Sequence, residues 1–89
     1  MNEIRIKCSK DALKFLSKLY KKSVRRIRDA ITGLTYNPPV GDIKTMQGYS
    51  DERKRLRVGS WRIIYRYENE EMVEIIFVHD IGNHGDIYK

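Results

Sequence analysis

Residues 53–66 read Arg-Lys-Arg-Leu-Arg-Val-Gly-Ser-Trp-Arg-Ile-Ile-Tyr-Arg, and their period of two limits the fold more than any other stretch. Alternation of this kind marks strands with one apolar and one polar face. Gly59-Ser60 separates the two runs, and glycine at the first central position suits a two-residue type II′ turn. Such a turn fixes the register. Val58 then faces Trp61, Leu56 faces Ile63 and Lys54 faces Tyr65, on the side that must pack against a helical layer. The other side sets Arg57 across from Arg62, Arg55 across from Ile64 and Arg53 across from Arg66.

Five arginines therefore share one face of one hairpin, and two of the cross-strand pairs are Arg against Arg. Opposed like charges destabilise a sheet by a few tenths to about 1 kcal/mol per pair. A merely solvated face mixes its signs, yet residues 53–67 contain no acid. This sorting predicts an anion-binding platform on an exposed face. Arginine's planar fork matches phosphate better than lysine's point charge does.

The remaining elements follow from periodicity and punctuation. In Glu-Ile-Arg-Ile-Lys-Cys-Ser (3–9), Ile4, Ile6 and Cys8 lie on one side of a half-buried strand. Ser9 caps a helix with Asp11 in its first turn, and Ala12, Phe15, Leu16 and Leu19 form its apolar stripe. A second helix carries Val24, Ile27, Ala30, Ile31 and Leu34 and stops at Asn37-Pro38-Pro39. The short join near Tyr20–Ser23 predicts an antiparallel helical hairpin. Residues 37–50 are rich in turn formers and read as a loop. Met-Val-Glu-Ile-Ile-Phe-Val-His-Asp (72–80) supplies a third meander strand, so the predicted class is α+β, with helices on one face of the sheet.

A two-residue loop within Glu-Asn-Glu-Glu (68–71) places Val73, Ile75, Phe77 and His79 on the arginine face; a three-residue loop reverses this. The tail beginning at Asp80 then leaves the sheet beside Arg62. Gly82 and Gly85 are expected to let it turn sharply and fold His84 and Tyr88 over the basic face.

Length and charge bound the function classes. Eighty-nine residues predict one domain spanning 1–89. The excess of 18 Lys+Arg over 12 Asp+Glu favours a polyanionic partner, nucleic acid or an acidic protein. Cys8 is the only cysteine, which excludes an internal disulfide and fits a reducing compartment. No stretch has signal-peptide or membrane-spanning character, so a cytoplasmic protein with no membrane partner is expected.

His79, Asp80, His84 and Asp86 match no compact zinc spacing, and five arginines would repel a dication, so no metal and no cofactor is expected. Nucleophilic triads and glycine-rich phosphate loops are also missing from the pattern. RNA cleavage by its own 2′-hydroxyl needs only a base, a cationic cradle for the pentacovalent phosphate and an acid for the 5′ oxygen. Tyr88 suits the base if neighbouring arginines lower its pKa, and His84 suits the acid. A second reading stays open, in which Tyr88 only packs its ring and His84 is a solvated loop residue.

Leu-Arg-Val-Gly-Ser-Trp-Arg-Ile-Ile-Tyr-Arg-Tyr (56–67), an acidic turn, and the ending Ile-Ile-Phe-Val-His-Asp-Ile-Gly-Asn-His-Gly-Asp-Ile-Tyr-Lys resemble the RelE/ParE superfamily of type II toxin–antitoxin toxins. The resemblance spans essentially the whole chain. The RelE branch implies a ribosome-dependent mRNA endonuclease (an mRNA interferase) acting in the ribosomal A site beside 16S rRNA, without a metal, and so inhibiting translation. It implies phosphate contact by Arg53 and Arg55, joined on this reading by Lys54, Arg57 and Arg66, and transition-state stabilisation by Arg62. Tyr88 matches a tyrosine that activates the 2′-hydroxyl. The family often has a tail arginine where this chain reads Asn-His-Gly-Asp, so either His84 takes that task or activity is weak. The ParE branch shares the fold and inhibits DNA gyrase without catalysis, and an inactive relative that only binds antitoxin is a third alternative. Both toxin branches imply a small, RelB-like, acidic antitoxin as partner.

Overall fold

The computed structural model describes residues 3–70 and 73–83. Strand β1 (Glu3–Cys8) leads into α1 (Lys10–Ser17) and α2 (Lys21–Thr32), and a 3-10 turn at Gly33–Thr35 closes the helical layer. Strands β2 (Asp42–Thr45), β3 (Lys54–Val58), β4 (Trp61–Glu70) and β5 (Val73–Asn83) follow. They form one five-stranded sheet in the order β1-β5-β4-β3-β2. The meander is antiparallel, whereas β1 and β5 pair in parallel, which the long chain between them, two helices and three strands, permits.

Ser9 starts α1 as expected: its hydroxyl accepts from the Ala12 amide at 3.1 Å and donates to the His79 carbonyl at 2.6 Å. The cap thereby ties the helix to β5 as well as satisfying an orphan donor. Ala12, Ile27, Ile31 and Leu34 pack against Leu56, Ile63, Tyr65, Ile76, Val78 and Ile81, and this single layer is the core. Fully burying each of the Ile, Leu and Val side chains here stabilises the fold by about 1.5–3 kcal/mol.

Residues 37–50 are not all loop. Asp42–Thr45 is an edge strand, with Asp42 paired to Arg57 and Lys44 to Arg55. Four residues are too few for a period-two signal amid so many turn formers. The other correction concerns β5, which continues three residues past Asp80 to Asn83. Gly82 makes no sharp turn there; it is a buried ladder residue opposite Arg62.

Candidate active site

The hairpin forms in the expected register. Gly59 has φ +59 while Ser60 stays out of the positive region, which is the II′ pattern. Arg57 pairs with Arg62, Arg55 with Ile64, Leu56 with Ile63, and Lys54 with Tyr65. Lys54 therefore lies on the helix side and does not join the arginines; its ammonium donates to the Glu52 carbonyl at 3.4 Å. Arg53 sits one residue before the ladder.

The face is not the solvated platform that its composition predicts. Arg55 is only 6% exposed and Arg62 5%. Ile64 and Ile75 on the same face are buried too. Both arginines occupy inner strands of a five-stranded sheet, where flanking strands close over them; a hairpin considered alone leaves them open.

Carboxylates from outside residues 53–67 also reach this face. Asp51 accepts two bonds from Arg53, at 3.0 and 2.8 Å. Asp42, carried in by the unexpected β2, accepts from Arg55 at 3.2 Å. Glu68 accepts from Arg66 Nε at 2.7 Å and also from Nη2. The signs are mixed after all, by partners up to 13 residues away in sequence. The hydrogen bond from Arg53 is the main reason that the Asp51 carboxyl is lowered to about 2.

The two ends of the face differ in chemistry. At the Arg66 end, the guanidinium lies 4.7 Å from the Phe77 ring centroid and bonds His79 Nε2 at 2.7 Å. Arg53 stacks over Tyr49 at 4.2 Å. His79 is the extra residue of a β-bulge, since Ile64 pairs with Asp80 but Tyr65 pairs with Val78. Of the two loop lengths left open, the two-residue one is found, though Glu70 pairs with Val73, so it sits one residue later than the stretch 68–71 expected; Phe77 and His79 lie beside Arg66. Burial, then the charges of Arg53 and Arg66, hold His79 below the usual imidazole value, against the opposing pull of Asp51 and Glu68.

At the other end, Arg57 and Arg62 face each other across the hairpin, and Arg62 has Gly82 on its far side. Glycine contributes no side chain over the guanidinium there. The next residue, Asn83, is the last one described and pairs with Trp61. His84, Asp86 and Tyr88 lie outside the described residues. The fold thus brings Arg53, Arg55, Arg57, Arg62 and Arg66 to one face, and the described part of β5 ends beside Arg62. Sequence reasoning missed Asp42, Asp51 and Glu68 as partners of that face. Among the described residues, no group of three or more potential metal ligands occurs, and no helix is long and apolar enough to cross a membrane.

Comparison with known proteins places this geometry. The family model for the ParE toxin of type II toxin–antitoxin systems, parDE, matches residues 6–88. The chain belongs to the RelE/ParE superfamily. It is a toxin of a type II toxin–antitoxin system. Its fold is similar to the RelE of the Pyrococcus horikoshii RelE–RelB complex, at 27% identity and a TM-score of 0.73, covering 97% of this chain and 99% of that one. The Methanococcus jannaschii RelB–RelE complex matches at 24% identity and 0.65, over 92% and 94% of the two chains. A free-state mutant of Escherichia coli RelE matches at 19% identity and 0.67, over 98% and 90%. No curated protein matches the sequence.

Proposed function

We propose that this toxin is an endoribonuclease that cuts messenger RNA in the ribosomal A site, in the cytoplasm, and so stops translation. The observation that carries this reading is the buried Arg62 opposite Gly82, with Arg57 across the hairpin, one residue from the last described position of β5. A buried guanidinium held by the sheet is preorganised, so it stabilises developing phosphorane charge without reorganising. Arg55 is similarly fixed, through Asp42, and suits phosphate positioning. Tyr88 takes the 2′ proton, the 2′ oxygen attacks phosphorus, and His84 protonates the departing 5′ oxygen. This division of labour needs no ion beyond the side chains. Primer extension on messages from cells expressing the chain tests the reading: cuts within translated codons are expected, leaving a 2′,3′-cyclic phosphate or its opened form and a 5′-hydroxyl. A 5′-phosphate product would rule the chemistry out.

The matching family description favours a second reading, a non-catalytic gyrase inhibitor of the ParE type. Intact messages together with gyrase-linked DNA damage would select it. On either reading the partner is a RelB-like antitoxin, since the archaeal relatives were solved as RelE–RelB complexes. An apolar groove of about 380 Å³, lined by Ile6, Leu13, Leu16, Val24 and Ile31 among others, supports docking of a polypeptide on the helical side. Acidic segments of the antitoxin would meet the arginine face, and that part of the contact weakens with salt.

A further inference from the structure

The chain has a net charge of +6, yet residues 67–74, Tyr-Glu-Asn-Glu-Glu-Met-Val-Glu, hold four acids and no base. The described residues of this stretch close β4 and open β5. Five residues of strand separate Tyr67 from Arg62, about 17 Å. Tyr67 shares the helix side with Tyr65, opposite Ile76, and the next row on that side is Asn69–Glu74–Ile4. A cavity of about 290 Å³ opens at this corner, between the sheet and the segment that follows α2. Ile4, Leu34, Pro39 and Ile76 give it apolar walls, and Tyr36, Tyr67 and Glu74 add polar groups.

Three observations give the cavity its sign. Glu74 is exposed and makes no ion pair among the described residues, whereas Glu68, also at the cavity, is taken by Arg66. Helix α2 runs out here through Gly33–Thr35, and neither its last turn nor the 3-10 turn contains a basic residue. The negative end of the helix dipole is therefore not offset by the helix itself. Tyr36 and Tyr67 remain 58% and 42% exposed, and the faces of such rings attract cations. Tyr67 is also held in place: its hydroxyl donates to the Leu34 carbonyl at 3.0 Å, and its ring meets Tyr65 edge-on at 5.6 Å. Together these groups repel an anion, so the corner does not continue the arginine face. Apolar walls do not suit a bare metal ion, which needs a shell of oxygens. The volume lies at the lower limit for small-molecule pockets, enough for one side chain or a short amine.

We propose that this corner is a binding site for an organic cation, an ammonium or guanidinium on an aliphatic stem. The stem lies along Leu34, Pro39 and Ile76, and the charged head meets Glu74 and the rings of Tyr36 and Tyr67. Two sources carry this group: a free polyamine, or a lysine or arginine side chain of a bound polypeptide. The site uses none of the arginine face and does not rest on the nuclease reading.

The test is a 1H–15N NMR titration of the full chain at constant ionic strength. Its probes are spermidine, Nα-acetyl-lysine methylamide and Nα-acetyl-arginine methylamide. Saturable shifts are expected at the backbone amides of Thr35, Tyr67, Asn69 and Glu74, and none there from magnesium chloride or sodium butyrate. Tighter binding of spermidine identifies a polyamine as the occupant; tighter binding of either amide identifies a polypeptide side chain. Glu74→Gln should weaken the amines about two- to fivefold, because the carboxylate is exposed and screened. Tyr36→Leu should weaken them about three- to fivefold through the lost ring face, and Tyr36→Phe should bind as the parent does. The double variant Glu74→Gln/Tyr36→Leu should lose about tenfold. Both side chains are exposed, so all of these variants should melt with the parent. Absence of saturable shifts at this corner with all three amines would overturn the proposal. So would equal shifts from butyrate, or an unchanged affinity in the double variant. None of these readouts depends on cleavage, gyrase or antitoxin.

Discussion

The two positively charged surfaces of this toxin hold their charge in opposite ways. On the sheet, Arg55 and Arg62 are nearly inaccessible, and Arg53, Arg55 and Arg66 each have a carboxylate partner. On α2, the cations are exposed and, among the described residues, Lys21, Lys22, Arg25 and Arg28 make no ion pair. Buried, oriented charge is of little use for long-range attraction, but it suits a transition state that must find its partner already in place. Exposed, mobile charge contributes little geometry and much salt-dependent attraction. Counting basic residues along the sequence cannot separate the two; burial does.

The largest expected effect sharpens that contrast at the catalytic end. Tyr88→Phe keeps the ring and loses the hydroxyl, so cleavage of ribosome-bound message should fall by roughly 10²–10⁴ with the melting temperature unchanged. Arg62→Ala should abolish growth arrest, a transition-state loss of about 3–4 kcal/mol. Because Arg62 is buried, the same change should also cost stability, unlike a substitution on an exposed polar face. Arg62→Lys keeps the charge and loses the fork, so it should be inactive yet better folded than Arg62→Ala. Substituting His84 by arginine should retain or raise activity. A soluble Arg62→Ala protein with full toxicity, or Tyr88→Phe cutting at the original rate, would collapse the distinction between the two surfaces.

The residues that could be placed from sequence are those whose position follows from short-range geometry. The II′ turn at Gly59 set the partners of Leu56, Arg57 and Val58, and Ser9 announced the start of α1. For Phe77 and His79 the sequence offered two faces, depending on a two- or three-residue loop, and the two-residue link after Glu70 put them beside Arg66. What escaped depends on contacts distant in sequence. Strand β2 is four residues long and exists because β3 offers it an edge, and only through β2 does Asp42 meet Arg55. The bulge at His79 leaves no periodic trace, since the alternation merely slips by one residue. The burial of Arg62 follows from sheet width, which no local pattern encodes. Tyr88 and His84 lie outside the described residues, and their roles belong to the proposed mechanism.

A middle-sized effect is expected from the link between β2 and the site. Asp42→Ala removes the carboxylate from Arg55, whose side chain is 7% exposed while that of Asp42 is 57% exposed. Half-exposed partners are screened, so the stability cost should be about 1 kcal/mol, a few degrees in melting temperature for a domain of this size. The more telling readout is RNA: Arg55 freed from Asp42 should bind phosphate less selectively, with cleavage reduced more than binding. Melting curves and single-turnover cleavage on the same variant measure both. An Asp42→Ala protein identical to the parent in both would show that Arg55 needs no carboxylate to stay in place.

The smallest effect lies in the pH dependence of the Arg66 end. His79 is held below its ordinary value, first by burial and then by Arg53 and Arg66, with Asp51 and Glu68 pulling the other way. The folded chain thus binds this proton more weakly than the unfolded chain does. Stability linked to His79 is therefore complete above the unfolded value, near 6.5, and is lost as pH falls through the lower folded value. Asp51 has the same sign at lower pH: held at about 2, its contribution is complete above the unfolded carboxyl value and persists until pH approaches 2. Between pH 6.5 and about 5, then, the decline belongs to histidine. The chain has two histidines, so the comparison uses a His84→Ala background. In that background, His79→Gln keeps an acceptor for Arg66 and cannot titrate, so its melting temperature should be flat across the window while the His79 protein declines. Parallel curves would mean that the Arg66–His79 bond does not distinguish the two protonation states, and the bulge would then serve only to steer β5 toward Arg62.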